Sequence, residues 1–345
     1  MPRRTTDAAV ASPLDGVDLI LADLDGVVYA GAGPIPHAVD AINAAQDSAI
    51  RVGYLTNNAS RTTESVAAHL NELGLTVVPD DVVSSPQAAV KLLAGLVPAG
   101  SLILVVGGDG LTSELERAGF RITRSAEDSP AAVIQGFAPH VAWTDLAEAA
   151  FALRAAPPRE DIPWVATNTD WTIPQARGTA PGNGTLVSAV HTAVGRLPIV
   201  AGKPERAIFD AAVTRFGAQH PLVIGDRLDT DILGANRAGM QSVLVLTGID
   251  GPKQVLAAVP DQRPTFVLED LRELAEPYPH PIVTTGKRSG DRLYAVRDAV
   301  VRHAGNAIRL EHGGSRIDIL RAATAAVWNA GVPIYALDVA PALYE

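Results

Sequence analysis

Val17-Asp18-Leu19-Ile20-Leu21-Ala22-Asp23-Leu24-Asp25-Gly26-Val27 is the stretch from which the fold can be read. A mostly apolar run of strand length ends in two carboxylates two residues apart, followed by a glycine. Open parallel sheets hold their ligands at this carboxyl edge of their strands. Alternate side chains of an extended chain share a side, so Asp23 and Asp25 can address one bound group, one attacking while the other moves a proton. Taken alone, the same residues describe an acidic turn that caps a helix.

Outward from this stretch the rhythm repeats. The runs RVGYLT, LILVVG, AVIQGF, WVATN, LPIVAG, PLVIG and QSVLVL follow, with helical stretches over 37–47, 62–73, 111–118, 144–155, 184–194, 204–216 and 230–237. Strands alternating with helices predict an α/β protein built on doubly wound parallel sheet. One sheet does not comfortably hold so many strands, which predicts two α/β layer systems. A Pro-rich break, PYPHP at 277–281, precedes a tail with a helical stretch over 291–303, the run NAIRLEHGG, an Ala-rich helix over 317–330 and the run VPIYALDV. The tail reads as a third, small α/β unit.

Composition narrows the function classes. Across 345 residues, 47% are hydrophobic and 19% charged, enough for sizeable cores. The formal net charge of −10 repels nucleic-acid backbones and anionic membrane surfaces, so neither is an expected partner, and a phosphate-bearing substrate needs local positive charge. No cysteine is present, which removes disulfides, thiolate metal sites and thiol catalysis. The N-terminal stretch carries acid and polar residues where a signal peptide needs an apolar run, and no segment has 18 consecutive apolar residues. A cytoplasmic location is the expectation.

Three further clusters stand at the ends of later runs. Thr56-Asn57-Asn58 closes RVGYLT and offers a hydroxyl, side-chain amides and backbone donors to phosphate oxygens. Gly202-Lys203-Pro204 places a cation between a strand and a helix beginning near Glu205. Gly225-Asp226-Arg227-Leu228-Asp229-Thr230-Asp231 follows Leu222 to Ile224 and supplies hard carboxylate oxygens suited to Mg²⁺. Each alone has an ordinary reading as a capping residue, a solvated lysine or an acidic face.

Together and in this order, DLDGV, LTNN, GKP and GDRLDTD resemble the haloacid dehalogenase superfamily of phosphatases. The segments LTNNAS at 55–60, TNTD at 167–170, PGNG at 181–184 and GDRLDTDI at 225–232 are similar to the branch of p-nitrophenyl phosphatases and NagD-like enzymes. Within it, actinobacterial glycerol 3-phosphate phosphatases are similar. The resemblance covers about residues 15–275 and leaves the tail outside.

The resemblance implies a Rossmannoid core over 12–85 and 200–277, an inserted C2-type α/β cap over 86–199 and a small C-terminal module over 281–345. It implies a Mg²⁺-dependent phosphatase of small phosphate esters working through an aspartyl-phosphate. Asp23 is then the nucleophile and Asp25 the general acid and base, while Thr56 and Lys203 hold the phosphoryl group with help from Asn57 and Asn58. Mg²⁺ is held by Asp23, the Asp25 carbonyl and Asp226, with Asp231 behind them orienting Lys203 or a water. Asp25 argues for phosphoryl transfer, since plain dehalogenases of the superfamily lack the second Asp.

About 147 positions separate Thr56 from Lys203, whereas strand-to-helix connections take about 2 to 6 residues, so a domain is inserted there. Its selectivity segment is expected at Trp171 to Arg177, including Thr172, Ile173 and Arg177. Relatives selective for pyridoxal phosphate carry a histidine where Ile173 stands, which disfavours that substrate. Gly107-Gly108-Asp109-Gly110 lacks the third glycine of a dinucleotide turn, position 113 being Ser113, and the eight histidines form no zinc pair. The tail resembles part of an acetyltransferase-like fold but has no pyrophosphate loop, and a packing or oligomerisation role is expected of it. Cap-bearing relatives dimerise, which makes a homodimer an expectation. Two alternatives stay open: another small ester such as 2-phosphoglycolate or a sugar phosphate as substrate, or a non-catalytic binding protein acting through the tail.

Overall fold

In the computed structural model, which describes residues 11–31, 33–154, 161–175, 177–286 and 290–345, the β-branched runs become parallel strands and the Ala-rich stretches become the helices between them. The first ten residues, part of the stretch read for an export signal, lie outside the described residues, as does Ala176 of the expected selectivity segment. Among the described residues no helix is long and apolar enough to cross a membrane. The chain divides into two units, one of residues 1–30, 34–51 and 220–345, the other of residues 31–33 and 52–219.

In the first unit the strands Leu19–Asp23, Pro221–Gly225, Gln241–Val245 and Phe266–Leu268 run side by side and parallel. Leu19 to Ala22, Leu222 to Ile224 and Val243 to Val245 are wholly buried, the condition of strands covered on both faces, which is why these runs read as continuously apolar rather than alternating. Register places Ala22 opposite Ile224 and Gly225 opposite Leu244, so residues 23, 226 and 246–249 all emerge at one edge.

The tail belongs to this same unit. The helix expected over 291–303 is not formed; Arg292–Val296 and Ala299–Ala304 are antiparallel strands joined by a two-residue turn at Arg297, whose φ is 47°. Tyr294, Val296, Ala299 and Val301 are buried at alternate positions, a period of two that outweighs the helix-favouring composition. These strands continue through Ile282–Thr285 and Ala307–His312 into a five-stranded sheet. Its last strand, Asp338–Val339, returns parallel to Ala307–His312 after the helix Arg316–Trp328, so the β-α-β reading of the C-terminal runs holds.

One apolar interior joins the tail to the parallel strands. Leu228, Ile232, Leu244, Val255, Leu256 and Val267 cluster with Tyr294, Val301, Ile308, Leu320, Ala323 and Leu343. Arg321, 2% exposed, pins this junction. Its Nε donates to the Val267 carbonyl at 3.0 Å, Nη1 to Asp318 Oδ1 at 3.1 Å and Nη2 to Glu273 Oε2 at 2.7 Å. The guanidinium lies 4.7 Å from the Tyr278 ring centre, and the Tyr278 hydroxyl accepts the Val267 N–H at 3.1 Å.

In the second unit Arg51–Thr56 pairs parallel with Val82–Ser84. A separate all-parallel sheet runs in the order Ile199–Val200, Trp164–Ala166, Ala132–Gln135, Leu102–Val106, Arg121–Thr123. The expected helices appear as Thr63–Glu72, Asp109–Arg117, Trp143–Leu153, Asn183–Val194 and Arg206–Phe216. An unforeseen one, Ser85–Ala94, starts in a capping box in which Ser84 Oγ accepts the Gln87 N–H and Gln87 Oε1 accepts the Ser84 N–H.

Removing one member of a buried, fully hydrogen-bonded ion cluster strands its partners' charges, at about 3 to 5 kcal/mol. Arg321→Ala is therefore expected to lower the urea midpoint of the whole first unit in a single transition, measured by far-UV circular dichroism. Arg206→Ala, which breaks the exposed pair with Asp210, is expected to change stability by less than about 1 kcal/mol.

Candidate active site

Asp23 is the last residue of its strand and half-buried, and its Oδ1 accepts the Leu24 N–H at 2.7 Å. Leu24 points into the core while Asp25 is exposed, so the two carboxylates bracket a buried residue as the alternation requires. Gly26 then turns the chain with φ at +84°, its carbonyl accepting from Thr247 Oγ1 at 2.6 Å.

Asp226, 2% exposed, sits where two backbones close on it. A Cβ added at Gly26 lies 2.4 Å from Asp226 Oδ2, and one at Gly248 lies 2.0 Å from the same oxygen, distances no real side chain adopts. The Ile249 N–H donates to Asp226 Oδ2 at 2.7 Å, and the Asp250 N–H to the Asp226 carbonyl at 3.1 Å. Asp231 comes from the turn Leu228–Ile232, accepts the Arg227 N–H at 3.2 Å, and packs on Gly225, where a Cβ would sit 2.2 Å from its own Cβ. Asp250 accepts the Leu228 N–H at 2.7 Å, and burial pushes its carboxyl above the usual carboxylate range.

Ligand oxygens of Asp23, Asp226 and Asp231 all lie within 4.8 Å of one another. At that spacing each pair of ionised carboxylates repels by on the order of 3 kcal/mol at an effective dielectric near 20. Hard oxygen donors in this number and spacing fit a divalent cation such as Mg²⁺, whose charge relieves the repulsion. Asp231, expected behind the metal ligands, places a carboxylate oxygen within the same 4.8 Å of Asp23 and Asp226 that those two keep from each other. Sequence reasoning missed the segment Thr247 to Asp250, although it follows the apolar run QSVLVL as the other clusters follow theirs.

The second unit holds the expected cation and hydroxyl. Thr56 and Lys203 are buried, Lys203 to 3% exposure. Thr56 Oγ1 accepts the Asn58 N–H at 3.1 Å, which leaves its proton to be donated elsewhere. Asn58 Oδ1 accepts from the Ser60 N–H and hydroxyl at 2.9 and 2.7 Å, closing a turn after the strand. The Asn57 side chain, expected to help hold phosphate, is bonded within the protein. Its Nδ2 donates to the Lys203 carbonyl at 3.1 Å and to both Asp170 carboxylate oxygens at 3.1 and 3.2 Å, and its Oδ1 accepts the Lys203 N–H at 2.9 Å. With both amide hydrogens engaged inside the protein, the Asn57 side chain has no donor to offer a phosphoryl oxygen.

Thr172 and Ile173 stand on a hairpin that pairs Thr172–Gln175 with Gly178–Pro181, and Arg177 lies exposed at its turn. Thr172 is exposed and Ile173 partly buried.

Comparison with known proteins bears on this geometry. A family profile of haloacid dehalogenase-like hydrolases matches residues 20–121, and a second, described as HAD-hydrolase-like, matches residues 200–274. The chain is 42% identical over 314 residues to a D-glycerol 3-phosphate phosphatase of Mycobacterium tuberculosis, covering 91% of this chain and 86% of that one. It is 34% identical to a glycerol-3-phosphate phosphatase of Gallus gallus, covering 73% of this chain and 87% of that protein. A crystal structure of a glycerol phosphate phosphatase from M. tuberculosis in complex with magnesium superimposes with a TM-score of 0.83 at 40% identity, over 96% of this chain and 95% of that one.

Because the three carboxylates repel one another, Asp226→Asn is expected to raise the melting temperature in the presence of a chelator and to abolish the rise that Mg²⁺ produces in the unaltered protein. Gly248→Ala is expected to weaken Mg²⁺ binding at least tenfold, read by isothermal titration, because its Cβ displaces Asp226 Oδ2.

Proposed function

The chain belongs to the haloacid dehalogenase-like hydrolases, and we propose that it is a Mg²⁺-dependent phosphatase of small phosphomonoesters whose substrate is glycerol 3-phosphate. The observation that carries the reading is the convergence of Asp23 and Asp226, at the ends of neighbouring strands, with Asp231 from the turn that follows the second of them. The names of the bacterial and avian relatives support the substrate, and the magnesium complex supports the metal. Residues 86–199 are read as the cap that restricts access to small esters.

In the proposed reaction an Asp23 oxygen attacks phosphorus in line with the ester oxygen. The P–O bond to the alcohol breaks as Asp25 transfers its proton to the departing alkoxide, leaving an aspartyl-phosphate on Asp23. Asp25, now ionised, takes a proton from water as that water attacks phosphorus. Cleavage of the bond to Asp23 releases phosphate and restores both carboxyl groups. Thr56, through its free hydroxyl proton, and Lys203, through its ammonium, hold the phosphoryl oxygens and stabilise the charge they carry in the transition state. Mg²⁺, held by Asp23, Asp226, Asp231 and the Asp25 carbonyl, supplies charge neutralisation to the transferring group. These local cations meet the requirement set by the acidic chain.

Asp23→Asn is expected to abolish hydrolysis of every phosphomonoester, and retained turnover overturns the nucleophile. Across glycerol 3-phosphate, 2-phosphoglycolate, sugar phosphates and an aryl phosphate, kcat/KM is expected to favour glycerol 3-phosphate by at least about tenfold, selectivity being a difference in transition-state binding. A flat ranking or a different leader removes the substrate assignment, and inactivity towards all of them with Mg²⁺ removes the enzyme.

A further inference from the structure

Lys203 is gripped by its own peptide groups. The Asn57 amide accepts the Lys203 N–H and donates to the Lys203 carbonyl, so one planar group spans the whole residue, across 146 positions of sequence. The contact tolerates no bulk beside it, since a Cβ at Gly202 would lie 2.5 Å from Asn57 Oδ1 and 2.4 Å from the Thr167 carbonyl. Asn57 is fixed in turn on three sides. Ser85 Oγ and Asn168 Nδ2 donate to its carbonyl at 2.8 and 2.7 Å, and Asp170 receives its remaining side-chain hydrogen.

Asp170 is held in place by TNTD and PGNG. Asn168 Oδ1 accepts the Asp170 N–H at 3.1 Å, and Asn183 Nδ2 donates to the Asn168 carbonyl at 2.7 Å. The Gly184 N–H donates to the Asp170 carbonyl at 2.9 Å. The backbones meet so closely that a Cβ at Gly182 would lie 2.2 Å from the Asp170 carbonyl oxygen, and one at Gly184 would lie 2.3 Å from that of Thr169. Two motifs far from Lys203 in sequence therefore end in one carboxylate placed on Asn57.

We infer that Asn57 and Asp170 are positioning residues for Lys203, with TNTD and PGNG as the brace that holds them. The inference rests on the phosphoryl-holding role given to Lys203 above. An ammonium on a flexible four-carbon stem reaches a phosphoryl oxygen from wherever its backbone is anchored, so the anchor contributes to its placement. The Asn57 amide acts by fixing that anchor, not by touching the ester.

The test is a double-mutant cycle in the full-length protein with Mg²⁺, using glycerol 3-phosphate as substrate and inorganic phosphate as competitive inhibitor. Lys203→Ala is expected to lower kcat/KM and raise the inhibition constant of phosphate. A misplacement of about 1 Å costs on the order of 100-fold, the loss expected of Asn57→Ala. Asp170→Asn, which keeps the shape and removes the charge that orients the amide, is expected to cost about tenfold and serves if Asn57→Ala does not fold. Neither substitution is expected to lower kcat/KM further in the Lys203→Ala background, and the Mg²⁺-induced rise in melting temperature is expected to stay at its unaltered size in both. Losses that multiply with that of Lys203→Ala, or full activity in both variants while Lys203→Ala is impaired, overturn the positioning role alone. Full activity in Lys203→Ala overturns the role of Lys203 itself and this inference with it.

Discussion

Three like charges cannot share a few ångströms without compensation, and much of the first unit is arranged around that constraint. The register of Leu19–Asp23 against Pro221–Gly225 brings Asp23 and Asp226 to one edge. Glycines at 26, 225 and 248 then remove the side chains that would keep the carboxylates apart. The turn carrying Asp231 and the segment from Thr247 to Asp250 complete the enclosure through backbone N–H donors.

What the sequence disclosed was whatever lies at the end of an apolar run. Asp23 and Thr56 close buried strands and Asp226 follows one, so that an apolar run marks both the strand and its tip, while Lys203 comes after the short, partly exposed strand Ile199–Val200. The long interval between Thr56 and Lys203 likewise raised the expectation of an inserted domain. Less legible were groups whose meaning lies in a distant partner. Asn57 reads as a phosphate donor because it stands in a loop rich in hydroxyl and amide donors, and only a carbonyl and a carboxylate more than a hundred positions away show where its hydrogens go. The segment from Thr247 to Asp250 matters mainly through backbone N–H groups and an absent side chain, which no residue-type pattern advertises.

The tail shows the same limit in another form. Arg292 to Ala304 is a short stretch rich in alanine and arginine, and local propensity points to a helix. Packing decides otherwise, because Tyr294, Val296, Ala299 and Val301 find burial on one face when the chain is extended. Nor does sequence reveal that the tail completes an interior already half made by Leu244, Val255 and Val267. Arg321 is a charged residue in an Ala-rich helix, ordinary until the structure places it against Val267, Glu273 and Tyr278.

That shared interior sets an order of events during synthesis. Leu343 and the helix Arg316–Trp328 are translated after Leu244 and Val267, which they cover. The strands Gln241–Val245 and Phe266–Leu268 therefore cannot bury that face until the tail has been made. Until that stretch emerges the apolar surface of Leu244 and Val267 stays uncovered, a stage at which chaperones have a substrate to shield.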